Sequence, residues 1–198
     1  IFENRDPRLR QTFMWPGYQK ANESSPHRTN MDAGGYAQIK FDPRTYDQIS
    51  WNKSYTDLPI FRYAEILLIY AEAKLGNSAS TSDAGALAAF NAVRSRSIKN
   101  VTPKASLTFD DIFNERRKEL SCEGDNWFDL VRLSYYNAEG AKDRIAAQER
   151  GFWNNIDGYF KGEAQASDVT LGSWKVVRSN IQFTIPFPDT DLAANPRL

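Results

Sequence analysis

The chain has 198 residues, 41% hydrophobic and 25% charged, with 25 Lys and Arg set against 25 Asp and Glu. That is apolar mass for one globular unit or a large piece of one, with no basic surface for nucleic acid and no polybasic run for anionic lipid. One cysteine, Cys122, and one histidine, His27, exclude a disulfide framework and a His/Cys zinc site within the chain, and no run approaches the roughly 18 apolar residues of a membrane span.

The opening IFENRDPRLR has neither an initiating Met nor a charged-then-apolar leader, which reads as the start of a fragment or processed piece. Residues 1–59 lack helical periodicity and carry Pro7, Pro16, Pro26, Pro43 and Pro59 among many aromatics. They are predicted to be long loops with short strands, such as YAQIKF at 36–41. His27 sits in the polar run NESSPHRTN and is expected on a surface loop, leaving no partner for Ser-His or Cys-His catalysis.

Four helical signals follow over 60–136. RYAEILLIYAEAKLG, 62–76, is apolar nearly all round, which predicts a buried helix ending at a Gly76 cap. After NSASTS, Asp83 is a good N-cap for AGALAAFNAVRSRS, whose Ala86, Ala89, Phe90 and Val93 share a face. The pair reads as an antiparallel hairpin of the tetratricopeptide-like kind, although no clean 34-residue repeat is present. A third helix is expected from Thr108, with Asp111 completing an imperfect capping box, to Gly124, with Cys122 on its flank. A fourth starts with Asp125 as N-cap. From 137 to 180 the pattern breaks into a loop and strand insertion, with VTLGSWKVV at 169–177 a predicted strand, and 181–198 is an extended tail.

The densest chemistry lies in ERRKELSCEGDNWFDLVRL, 115–133. At 100° per residue, Phe109, Ile112, Phe113 and Leu120 share one side of the third helix, and Arg116 falls in the middle of that stripe. Lys118 points away, and Glu119 and Glu123 flank the stripe. A guanidinium keeps its proton, so a buried Arg116 needs acids, and Glu65 and Glu72 on the first helix are candidates. Catalysis by a carboxyl pair would need one acid with a raised pKa facing a cleft, whereas an adjacent cation lowers it. The reading is an ionic clasp between helices, with no catalytic residue and no metal site.

These segments, taken together with the tail FPDTDLAANPRL, resemble the C-terminal half of the SusD/RagB family. The resemblance covers about 62–133 and 187–198, and it rests on the order of the blocks. Departures are Asn126 where an arginine often precedes the tryptophan, Ser97 for alanine, Phe187-Pro188 for Ile-Pro, and Asp191 for Glu. It implies a mostly α fold, with a tetratricopeptide-like helical core decorated with long loops and short β-strands. It also implies a surface lipoprotein of the outer membrane that captures nutrients, usually glycans, without an enzymatic step or cofactor, and passes them to a SusC-like TonB-dependent transporter. Neither the lipidated cysteine nor the family's N-terminal half is matched in this chain. Glu65, Glu72, Arg94, Arg116, Arg117, Trp127 and Asp129 fall on family positions in the structural core.

Three functions follow: glycan binding within an uptake complex, peptide capture as in the RagB branch, and a helical scaffold that binds only protein. Aromatic loops count against the last. A sugar presents an apolar C–H face and a rim of hydroxyls, so its site needs flat rings beside amides and charges. The region 1–59 supplies both, with Trp15, Tyr18, Tyr36 and Trp51 as the expected stackers near Gln19, Asn22, Arg28 and Asn52. Trp153 and Tyr159, near Asn154, Asn155 and Asp157, form a second set.

Overall fold

The computed structural model describes residues 6–14, 37–38, 40, 59–148, 150–151, 153–155, 158–159, 162–172, 174–184, 193 and 195. Pro7 fixes the backbone that opens α1 (Arg8–Thr12), and the Thr12 hydroxyl donates to the Arg8 carbonyl at 2.8 Å. The chain continues into β1 (Phe13–Met14), which pairs antiparallel with β2 (Ala37–Gln38), Phe13 opposite Gln38. Of the predicted strand at 36–41, only these two residues are strand among those described.

Helix α2 (Tyr63–Leu75) ends where Gly76 turns to φ +54°, a left-handed conformation that a side chain would resist. Helix α3 (Ala84–Ser97) starts at Asp83, whose carboxylate accepts from the Ala86 N–H at 2.9 Å. Helix α4 (Phe109–Glu119) has a complete reciprocal box: Thr108 Oγ1 accepts from Asp111 N–H, and the Asp111 carboxylate accepts from Thr108 N–H. Helix α5 (Asp125–Ser134) follows after a break.

Ala64, Leu68, Ala71 and Leu75 line the inner face of α2, at spacings of four, three and four residues. They pack with Ala86, Phe90 and Val93 of α3, and with Leu107 and Ile112. Leu68, Leu107 and Ile112 lose all exposure. Burying each is worth about 1.5–3 kcal/mol relative to leaving it in water. Thr81 and Leu107 exchange backbone hydrogen bonds at 2.8 and 2.9 Å, and the Asn91 amide clips both backbone groups of Lys104. Those links hold the α3–α4 connection against the hairpin.

Five expectations are corrected. Helix α2 buries only one face: Tyr63, Ile66, Ile69 and Tyr70 are exposed, because a stripe apolar all round exceeds what α3 and α4 cover. Helix α4 stops at Glu119 rather than Gly124, and Cys122, at φ +66°, sits in the turn rather than on a helix flank. Side chains take the carbonyls at this end: Lys40 Nζ donates to Glu119 and Ser121, and Arg62 Nη2 donates to Glu119. The region read as loop and strand after 137 contains α6 (Ala138–Ala146), capped by Asn137 accepting from the Gly140 N–H, with Ala141 and Ile145 buried. Among the described residues of 169–177 the strand is Thr170–Leu171 (β4), antiparallel to β3 (Trp153–Asn154).

The chain divides into two units, Ile1–Asp129 with Phe152–Leu171, and Leu130–Gly151 with Gly172–Leu198. The first holds α1 to α4 and the β3–β4 pair. In the second, α6 packs with the short turn Arg178–Asn180, and Arg178 bridges to Glu139 and Asp143. Among the described residues no helix is long and apolar enough to cross a membrane.

Candidate functional site

The charged segment resolves into two buried ionic sets. Arg116 is 2% exposed and donates from Nε to both oxygens of Asp129, at 3.0 and 2.9 Å, with Glu65 Oε1 at 3.6 Å from Nη2. The clasp therefore closes first on α5 and only secondarily on α2. Glu72 adds a Coulombic contribution to Arg116, whose own positive charge these acids reinforce against desolvation.

Glu119, also buried, gathers a second set. Arg8 Nη1 donates to it at 3.0 Å, Arg62 Nη1 at 3.1 Å, and Arg96 makes a still closer contact. Burial alone would push its carboxyl up, but the hydrogen bonds and charges of Arg8, Arg96 and Arg62 outweigh that and hold it below the ordinary glutamate value. Arg62 also grips both oxygens of Glu123, at 2.6 and 2.8 Å, and Lys40 contacts the same carboxylate. Arg8 approaches Glu115 Oε1 to 2.7 Å without hydrogen-bond geometry, a Coulombic contact that leaves this oxygen without a directed donor. A general acid must carry a proton near neutral pH, and Glu119 is held in the opposite state. Arg116, Glu119, Glu123 and Asp129 are thus taken up in ion pairs within the fold.

Positions for ligand must be sought elsewhere. Trp15, Tyr18, Tyr36 and Trp51, with Gln19, Asn22, Arg28 and Asn52, lie outside the described residues, as do His27 and Asp157. In the second set, Trp153 lies on β3, Tyr159 is exposed, and Asn154 donates to the Thr170 hydroxyl at 3.3 Å. Among the described residues no three His, Cys, Asp or Glu side chains are arranged to hold a metal ion.

A cavity of about 420 Å³ opens between α1 and α4, lined among others by Leu9 and Phe13 on one side and Asn114, Arg117, Lys118 and Ser121 on the other. The last four fall at i, i+3, i+4 and i+7, one face of α4 continued into the following turn. That spacing was available in the sequence, but its significance depends on α1, about a hundred residues away. The cavity also corrects the assignment of Arg117 to a packed core. Arg117 and Lys118 are exposed and, among the described residues, neither forms an ion pair, in contrast to the buried Arg116 beside them. Trp127 is likewise 47% exposed.

The sequence profile of the SusD family matches residues 1–198. A SusD-like protein of Bacteroides ovatus is 33% identical over 154 residues, 70% of this chain and 28% of that protein. Two solved crystal structures superimpose on 96% of the chain, each with a TM-score of 0.71, at 26% and 25% identity; the second was determined with a xylogluco-oligosaccharide. The chain spans 41% of each of those two and 28% of the Bacteroides relative.

Proposed function

The chain belongs to the SusD family, and from that premise we propose that it forms part of a cell-surface protein that captures oligosaccharides without cleaving them. The observation that carries this reading is the structural likeness, over 96% of the chain, to a protein crystallised with a xylogluco-oligosaccharide. Stacking by Trp15, Tyr18, Tyr36 and Trp51 of the 1–59 region would supply the flat faces that pyranose rings require. Captured glycan would pass to a SusC-type TonB-dependent transporter in the outer membrane, the protein being held outside by a lipid anchor. Capture rather than hydrolysis is supported by Glu119, whose arginine partners keep it ionised, and by the engagement of Asp129, Glu115 and Glu123 with cations.

The test is calorimetric titration of the full-length protein with a panel of neutral oligosaccharides, xyloglucan fragments included, beside a peptide pool. Saturable binding of a sugar, with no reducing ends released on prolonged incubation, is the expected result. Alanine at Trp15, Tyr18, Tyr36 or Trp51 should weaken that binding while leaving the circular dichroism unchanged. Binding of peptides with none of sugars would move the protein to peptide capture, and cleavage abolished by one carboxylate substitution would overturn the reading.

A further inference from the structure

We propose that the cavity between α1 and α4 is a subsite for a carboxylated sugar, a uronic-acid residue of the captured glycan; this rests on the oligosaccharide-capture reading. Its volume, about 420 Å³, falls in the range of small-molecule sites, about 300–1,000 Å³. Leu9 and Phe13, both half-buried, give it an apolar wall of the kind against which the C–H face of a sugar ring rests. Opposite them stand the Asn114 amide and the Ser121 hydroxyl, which suit ring hydroxyls.

Charge sets the ligand class. Among the described residues, the lining carries Arg8, Arg117 and Lys118 against one carboxylate, Asp6. Asp6 is already committed: Arg8 holds it at 2.6 Å and in a second bond at 2.9 Å. Burial works to raise its carboxyl, yet the hydrogen bonds and charge of Arg8, with a smaller contribution from Lys118, keep it ionised and below its usual value. Arg8 is in turn consumed by Asp6, Glu115 and Glu119. Arg62, Arg94, Arg96 and Arg116 in this unit are each ion-paired as well. Arg117 and Lys118, adjacent on α4, therefore bring to the cavity two positive charges that form no ion pair among the described residues, Lys118 sharing only a minor Coulombic attraction with Asp6. A guanidinium fork meets a carboxylate through two parallel hydrogen bonds, and the neighbouring ammonium adds a point charge to the same group. Both cations are exposed, so the attraction must fall with ionic strength.

The experiment uses the full-length protein, digalacturonic acid, its methyl ester, hexaglutamate and a neutral xyloglucan fragment, read by calorimetry. Digalacturonic acid should bind at low salt, with Kd rising several-fold between 50 and 300 mM salt, on the order expected for partly screened charges. The methyl ester, which keeps the ring and loses the charge, should bind about ten-fold more weakly, as should digalacturonic acid to the Arg117→Gln/Lys118→Gln double variant. The neutral fragment should bind parent and variant equally. Three results would overturn the subsite: equal affinity for acid and ester, hexaglutamate binding as tightly as the uronide, or no effect of the double substitution. If the neutral fragment binds and the uronide does not, the subsite fails and oligosaccharide capture stands. If neither sugar binds, both fail together.

Discussion

Arg116 in the first unit and Arg178 in the second are built alike, each set against two carboxylates: Asp129 and Glu65 for the one, Asp143 and Glu139 for the other. They differ in the water around them. Arg116 is 2% exposed and Asp129 4%, whereas the Arg178 side chain is 44% exposed and its acids about two-thirds exposed. In water the charges of the Arg178 set are solvated whether or not they meet, so its geometry says little about stability. In the core, a charge without its partner has no substitute, so the pairing of Arg116 is a condition of folding. A count of ion pairs would treat the two sets as equals.

The largest effect should come from Arg116→Ala, which removes the buried cation set against Asp129 and Glu65. A loss of about 3–5 kcal/mol is expected in urea unfolding. Replacing Arg116 and Asp129 together with Met and Leu should recover part of it, since Asp129 is then no longer left without its cation, whereas the buried Glu65 still is. A single variant that melts with the parent would erase the distinction drawn above.

A smaller effect should appear on acidification. The Glu119 carboxyl is held below the glutamate value of 4.5, and a group depressed in the folded state adds stability that is complete above its unfolded pKa and lost as pH falls through the folded one. Melting temperature should thus be flat from neutrality to about pH 5 and decline below about 4.5. Glu119→Gln should be less stable at neutral pH and show a shallower decline. An unchanged slope would mean that other carboxylates dominate.

Arg178→Ala should produce the smallest change, a melting shift hard to separate from the parent's and smaller still at high salt. A clear shift that persists in salt would show that the exposed set is coupled to packing.

What was legible in the sequence was whatever periodicity could carry. Arg116 stood out because Phe109, Ile112, Phe113 and Leu120 surround it at helical spacing, and its burial is as expected. Asp129 was harder to assign as its partner, because 13 residues and the break between α4 and α5 separate them. The caps at Gly76, Asp83 and Thr108 are local, and the structure has all three. Helix α6 was missed because it is short, contains Gly140 and buries only Ala141 and Ile145, too few positions to set a period. The cavity was missed for a different reason: Leu9 and Phe13 reach Arg117 and Lys118 only through the tertiary fold, and no local pattern encodes that meeting. The aromatic stackers proposed at 15–51 lie outside the described residues.

The bond from Arg8 to Glu119 joins residues 111 apart in sequence, and that span has a consequence in time. Contacts between α2 and α3 close over the short turn from Gly76 to Asp83 and cost little chain entropy, so they can form early. The Arg8 contact needs a long loop closed on an already placed α4, and it is expected to form after the rate-limiting step. In a chevron analysis, Phe90→Ala should slow refolding, while Arg8→Ala should leave refolding almost unchanged and speed unfolding. The segment before β1 then acts as a latch, set last and released first, on a helical core that has already formed.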